Sequence, residues 1–196
     1  LENISFKAKK GETIAFIVST GSGKSTLINL IPRFYDVTSC EILVDGVNVK
    51  DYQKETLNNK IGYVSQKAVI FSGTVKSNIK FGKSKNKITE KDILDAAKIA
   101  EAKEFVEKME DTYDSHISQG GTNISGGQKQ RLSIARAVAK DPEIYIFDDS
   151  FSALDYKTDA VLRQNLKKNK KDATMLIVAQ RIGTIMNADK IMVLDN

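Results

Sequence analysis

"TIAFIVSTGSGKSTLINLI", residues 13–31, decides the fold. A β-prone apolar run enters a Gly-rich turn, and an apolar-periodic stretch follows. The order predicted is therefore strand, turn, helix. Gly21 and Gly23 let the backbone curl until successive N–H groups point inward at phosphate oxygens. A helix starting near Lys24 adds the positive end of its dipole. Ser19, Thr20, Gly21, Ser22, Gly23, Lys24, Ser25 and Thr26 are the expected nucleotide cradle, with Lys24 on the terminal phosphates and the Ser25 hydroxyl on Mg²⁺. One position departs from the pattern G-x-x-x-x-G-K-[ST], which has glycine where this chain has Val18. At positive φ a β-branched residue would carry strain of about 1–3 kcal/mol, whereas in extended backbone it only lengthens the strand.

Working outward, "IGYV" (61–64), "IYIF" (144–147), "TMLIVA" (174–179) and "KIMVL" (190–194) alternate with helix-like segments. Continuous apolar strands separated by helices predict a parallel sheet covered on both faces. "NISFKAKKGET" and "CEILVDGVNV" read differently: their "KKGE" and "DG" turns suggest an N-terminal antiparallel β piece. Residues 70–140 show no convincing strand. There "TEKDILDAAKIA" is a helix opened by Thr89 and Asp92 at capping spacing, and "GGQKQRLSIARAVAKDP" is a second, stopped by Pro142.

A chain of 196 residues, 41% hydrophobic, can bury one core. Lys+Arg 30 against Asp+Glu 25 leaves +5, but only five cations are arginine, a weak signature for nucleic acid. The single cysteine, Cys40, excludes an intramolecular disulfide. No run approaches the ~20 apolar residues of a membrane span. Both "LENISF" and "IMVLDN" fall inside strand patterns, so the chain is read as a piece of something longer, truncated at both ends.

The partner acid lies in "EIYIFDDSFSALD", residues 143–155. A buried strand ends in Asp148, placed to hold Mg²⁺ at the carboxyl edge of the sheet. Asp149 follows it.

Four further segments carry a specific resemblance. "NISGGQKQRLSIARA" (123–137) resembles the signature of ATP-binding cassette (ABC) transporters. "IGYVSQ" resembles the Q-loop strand with Gln66, "SALD" the D-loop with Asp155, and "IVAQRI" the switch segment, with Gln180 where the family has histidine. With the phosphate loop these make five motifs in the family's order over nearly the whole chain. The resemblance implies an α/β fold: a RecA-like P-loop core with a mostly parallel sheet (about 1–70 and 140–196), an N-terminal antiparallel β piece, and a central helical subdomain (about 71–139). It implies one domain that binds ATP and Mg²⁺ in a head-to-tail pair. Ser125, Gly126, Gly127 and Gln128 would face the partner's nucleotide, and Ser25, Gln66 and Asp148 the metal.

The catalytic set implied is Asp149, Gln66 and Gln180. The family's usual residue after the magnesium acid is glutamate. Asp149 is shorter by one methylene, roughly 1.5 Å, and a misplacement of about 1 Å can cost ~10²-fold in rate. Gln180 can donate a hydrogen bond but cannot carry a proton. A site that binds ATP and hydrolyses it slowly is expected. With the near-intact "ISGGQ", this resembles the degenerate half of heterodimeric exporters, and Gln119 stands where homodimeric ones often carry Glu. The expected partners are a second, non-identical nucleotide-binding domain and an exporter's transmembrane domain, which "AVIFSGTVKSNIKFG" would contact at the cytoplasmic face of a membrane. No nucleic acid is expected. A soluble ABC ATPase acting on nucleic acid and a non-hydrolysing regulatory module are the alternatives. Cys40 is a second departure, because "TSCEILVDG" resembles the family's "SGEI" turn. Restoring glycine at both 18 and 40 is expected to raise ATP affinity. The family's adenine-stacking aromatic would precede Leu1.

Overall fold

The computed structural model describes residues 4–18 and 24–194; the side chains of 18, 24, 25 and 194 lie outside that description. The strands are β1 (Thr13–Val18), β2 (Leu43–Val44), β3 (Val47–Asn48), β4 (Ile61–Val64), β5 (Gly73–Thr74), β6 (His116–Ile117), β7 (Ile144–Asp148), β8 (Thr174–Ala179) and β9 (Lys190–Leu194). The helices are α1 (Lys24–Asn29), α2 (Lys54–Lys60), α3 (Val75–Ile79), α4 (Glu90–Ile99), α5 (Lys103–Glu107), α6 (Gly126–Ala139), α7 (Tyr156–Asn169) and α8 (Ile182–Ile185). The main sheet has the order β4-β7-β8-β1-β9 and every pairing in it is parallel.

Strand alternation divides the core. Ile14, Phe16, Ile61, Ile146 and Val178 face Ile28 and Leu57 on one side of the sheet. Ala15, Val64, Tyr145, Phe147 and Ile177 face Leu132, Ile134, Leu162 and Leu166 on the other. A sheet buried on both faces needs apolar residues at consecutive positions, and for that reason its strands read as unbroken runs. Phe147 is fully buried, and truncating it to alanine would cost about 3–5 kcal/mol in lost contacts and cavity.

Helix ends follow local chemistry. The Thr89 side chain accepts from the Asp92 N–H while the Asp92 carboxylate accepts from the Thr89 N–H, closing the expected capping box of α4. Pro142 stands three residues past α6.

The antiparallel piece is narrower than expected. β2 and β3 form a hairpin whose turn residues Asp45 and Gly46 have φ of 51° and 77°, the left-handed pair that a two-residue hairpin requires. Residues 4–12 form no strand; Lys9 and Glu12 close a turn instead. Conversely, β5 and β6 pair inside the stretch where no strand was foreseen. Each is two residues long, too short for a period-2 pattern to register.

The two glycine departures separate. Val18 is the last residue of β1 and pairs with Leu194 in parallel register, so the strand-extending reading applies. Cys40 has φ 67°, a left-handed conformation that favours glycine.

Candidate functional site

Three elements deliver side chains to the carboxyl edge of the sheet. Strand β7 ends in Asp148, 7% exposed, and the chain then turns at Asp149, 6% exposed, with φ 47°. Aspartate is among the few non-glycine residues that tolerate this conformation. The turn is anchored across the sheet, where the Asp149 N–H donates to the Val178 carbonyl at 3.0 Å. On the other flank the buried Ser150 hydroxyl donates to the Val64 carbonyl at 2.8 Å.

Gln66 follows β4 and Gln180 follows β8. Both amides converge on one oxygen: Gln66 Nε2 and Gln180 Nε2 donate to Asp149 Oδ2 at 3.1 and 2.9 Å. A carboxylate only accepts, so both glutamines must present their NH₂ groups to it. The three residues that the resemblance marked as catalytic are thus in direct contact. Gln66, also expected at the metal, turns its amide to Asp149 here.

The Gln180 loop is itself braced. Arg181 donates to the carbonyls of Leu154 and Ser152 at 2.9 and 2.8 Å and lies over the Tyr156 ring. Behind it, Arg163 pairs with the buried Asp159 at 2.7 Å, and Asp159 also accepts from the Thr184 hydroxyl at 2.9 Å. These bonds tie α7 to α8 and hold the segment between β8 and α8 against the turn after β7. Sequence reasoning passed over Arg181, although its place beside Gln180 in an arginine-poor chain was a usable signal.

Asp148 points to the same sheet face as Tyr63, whose hydroxyl donates to Asp148 Oδ2 at 3.1 Å. Among the described residues no group of three or more His, Cys, Asp or Glu side chains could hold a metal ion. Mg²⁺ bound beside a triphosphate needs only one or two protein oxygens, with water and phosphate completing its octahedron. A single buried, oriented carboxylate at a strand end fits that requirement. Of the phosphate cradle, Ser19, Thr20, Gly21, Ser22 and Gly23 and the side chains of Lys24 and Ser25 lie outside the described residues; Thr26 is exposed on α1.

The signature lies at the start of α6. Ser125 caps α6: its Oγ accepts from the Gln128 N–H at 3.2 Å, and Gln128 Oε1 accepts from the Ser125 N–H at 2.8 Å. The capping box leaves the amides of Gly126 and Gly127 without a partner inside the helix, at the positive end of a 14-residue dipole. A Cβ on Gly126 would meet nothing within 4 Å, whereas one on Gly127 would lie 3.4 Å from the Ala153 carbonyl oxygen. Arg131 and Arg136 serve the helix and its neighbours. Arg131 donates to the carbonyls of Gly127 and Glu101, and Arg136 to those of Asn78 and Val69. Burial lowers the Arg136 pKa to about 10, so it stays charged near neutrality. His116 is exposed.

Between α2, β4 and α6 runs a groove of about 700 Å³ whose wall includes Phe34, Tyr63, Val69, Phe81, Arg136 and Lys140.

A family profile described as "ABC transporter" matches residues 1–152. Multidrug export ATP-binding/permease proteins of Staphylococcus aureus are similar over the whole chain, at 48% identity in strain NCTC 8325 and 47% in the bovine strain RF122. The chain spans about a third, 34%, of the length of these curated relatives. A solved bacterial Atm1-family ABC exporter with ATP bound superimposes with a TM-score of 0.89 at 34% identity, over 94% of this chain and 32% of that one.

Proposed function

The chain belongs to the ABC transporter family, and from that premise we propose that it is the ATP-binding motor domain of an exporter, with a site that holds MgATP and hydrolyses it slowly. The observation that carries this reading is the meeting of Gln66 and Gln180 on Asp149 Oδ2, beside Asp148. Asp148, with Ser25 and Gln66, would hold Mg²⁺; residues 19–26 would cradle the phosphates. Mg²⁺, when bound, supplies charge neutralisation at the terminal phosphates.

Asp149 is the candidate water-orienting acid. A base must come within about 2.6–3.2 Å of its proton, and the carboxylate is drawn back onto two amides by a side chain one methylene shorter than the family's usual glutamate. Gln180 has one of its two N–H donors engaged on Asp149, and as an amide it cannot take up or release a proton as the family's usual histidine can. Slow turnover follows from both features.

The second face of the domain is the signature. Ser125, Gly126, Gly127 and Gln128 form a capped helix start suited to an anion from another molecule. Strong signature and altered acid pair together support a non-identical second nucleotide-binding domain, paired head to tail. The relatives' permease portion supports a membrane domain as the other partner, seated in the groove beside Phe34 and Phe81 at the cytoplasmic face. No helix among the described residues is long and apolar enough to cross a membrane.

Full-length protein is mixed with limiting radiolabelled MgATP and the complex captured rapidly. ATP retained over minutes is the expected result. Prompt conversion to ADP would overturn the slow site, and failure to retain any nucleotide would overturn ATP binding itself.

A further inference from the structure

Tyr63 touches both regions to which function has been assigned. Its hydroxyl donates to Asp148 Oδ2 at 3.1 Å. Its ring lines the groove and meets Phe34 edge-on, centroids 5.4 Å apart and planes at 67°. The sheet explains the reach: Tyr63 on β4 is in register with Ile146 on β7, and Asp148 lies two residues further along the same face. Phe34 itself is 53% exposed, so the aromatic pair has one side packed on the core and one side open.

We propose that Tyr63 is a positioning residue that ties occupancy of the groove to the orientation of the magnesium acid. The inference rests on the proposed ATP-binding and membrane-domain docking, and adds a specific connection between them. An aspartate carboxylate at a strand end has two rotatable bonds, and one hydrogen bond to one oxygen decides which oxygen is presented to a metal. Bonds of this kind to a ligating carboxylate typically govern metal affinity by about 10–100-fold. The occupant of the groove is a segment of the membrane domain, because the relatives that match this chain end to end carry an ATP-binding and a permease function in one polypeptide. Such a segment would press on Phe34 and through it on the Tyr63 ring. A rigid phenol transmits a tilt of its ring to its oxygen, and the Tyr63 oxygen is bonded to Asp148. One side chain thus spans the distance, without a chain of intermediates.

The test uses full-length protein, a non-hydrolysable ATP analogue, and Mn²⁺ in place of Mg²⁺, with free Mn²⁺ read by electron paramagnetic resonance. Tyr63→Phe keeps the ring and removes the bond. It is expected to weaken Mn²⁺ in the ternary complex by about ten-fold while leaving binding of the analogue in EDTA unchanged, which also reports that the variant is folded. Phe34→Ala keeps the hydroxyl and removes its aromatic flank; a smaller weakening in the same direction is expected. Because Phe34 would act only through Tyr63, the double variant should be no weaker than Tyr63→Phe alone. Unchanged Mn²⁺ affinity in Tyr63→Phe overturns the positioning role. Additive losses in the double variant overturn the link to the groove. Failure of the unmutated protein to bind the analogue with Mn²⁺ would overturn this inference together with the ATP-binding reading beneath it.

Discussion

The signature turn and the acid cluster are built by opposite means. At the signature, Ser125 and Gln128 satisfy each other three residues apart, so the geometry is written into one short stretch. At the acid cluster, Asp149 is reached by Gln66 and Gln180 from 83 and 31 residues away, on loops after two different strands. The first is a local device that survives whatever the rest of the chain does. The second exists only once the sheet has assembled, and it is the second that departs from the family pattern.

The sharpest way to break this contrast is Asp149→Asn. The amide keeps the size of the side chain but removes its basicity, and single-turnover ATP hydrolysis should fall by about 10²-fold or more. MgATP retention should persist. Unchanged turnover would remove Asp149 from the chemistry.

Next in size is the reverse experiment. Asp149→Glu with Gln180→His should raise hydrolysis by about 10- to 10²-fold. The double change should exceed the product of the two single ones, because Asp149 and Gln180 are in contact. Multiplicative singles would show that the pair does not act as a unit.

On the local side, Ser125→Ala removes the cap of α6 and should cost about 1 kcal/mol, lowering the melting temperature by roughly 2–4 °C for a domain of this size. Gln180→Ala, on an exposed side chain, should barely move it. Equal losses would erase the distinction between the two regions.

The glycine departures give a smaller effect. Cys40→Gly relieves a left-handed residue and should stabilise by about 0.5–1 kcal/mol net of the glycine's own chain entropy. Val18→Gly places glycine in a strand and should destabilise by a similar amount. Both are read by thermal unfolding. Isothermal titration of the double variant with ATP then tests the expectation that restoring glycine at both positions raises affinity.

The smallest effect is a pH dependence. Bonds from the Thr158 backbone N–H, and then from its hydroxyl, hold the Asp155 carboxyl below the ordinary aspartate value. Its contribution to α7 is therefore fully present above about pH 4 and is lost as pH falls through the depressed value. Carboxyl-carbon NMR should show Asp155 titrating below the ordinary aspartate range.

The same contrast explains what could be read in advance. The strands of the main sheet, the capping residue Thr89, the helix stop at Pro142 and the strand-end acid all rest on neighbours in sequence, and all were legible. The order of motifs brought Gln66, Asp149 and Gln180 into one expected site. Nothing local could say that both amides would fall on one oxygen, because that depends on how far β4 and β8 extend beside β7. Tyr63 was invisible for the same reason. In "IGYV" it reads as one more apolar strand residue, and only the diagonal register of β4 and β7 gives its hydroxyl a partner. Cys40 was suspect by resemblance alone until its backbone angle supplied the physical reason.

The absence of a side chain at Gly127 has a consequence for how motion can pass between the two regions. The signature helix begins in van der Waals reach of the Ala153 carbonyl, on the loop that leaves the acid pair. In a head-to-tail pair the same short lever would face its own nucleotide at one end and the neighbour's at the other. A shift of the loop that leaves the acid pair would therefore be felt at the start of the signature helix, with no intervening side chain to absorb it.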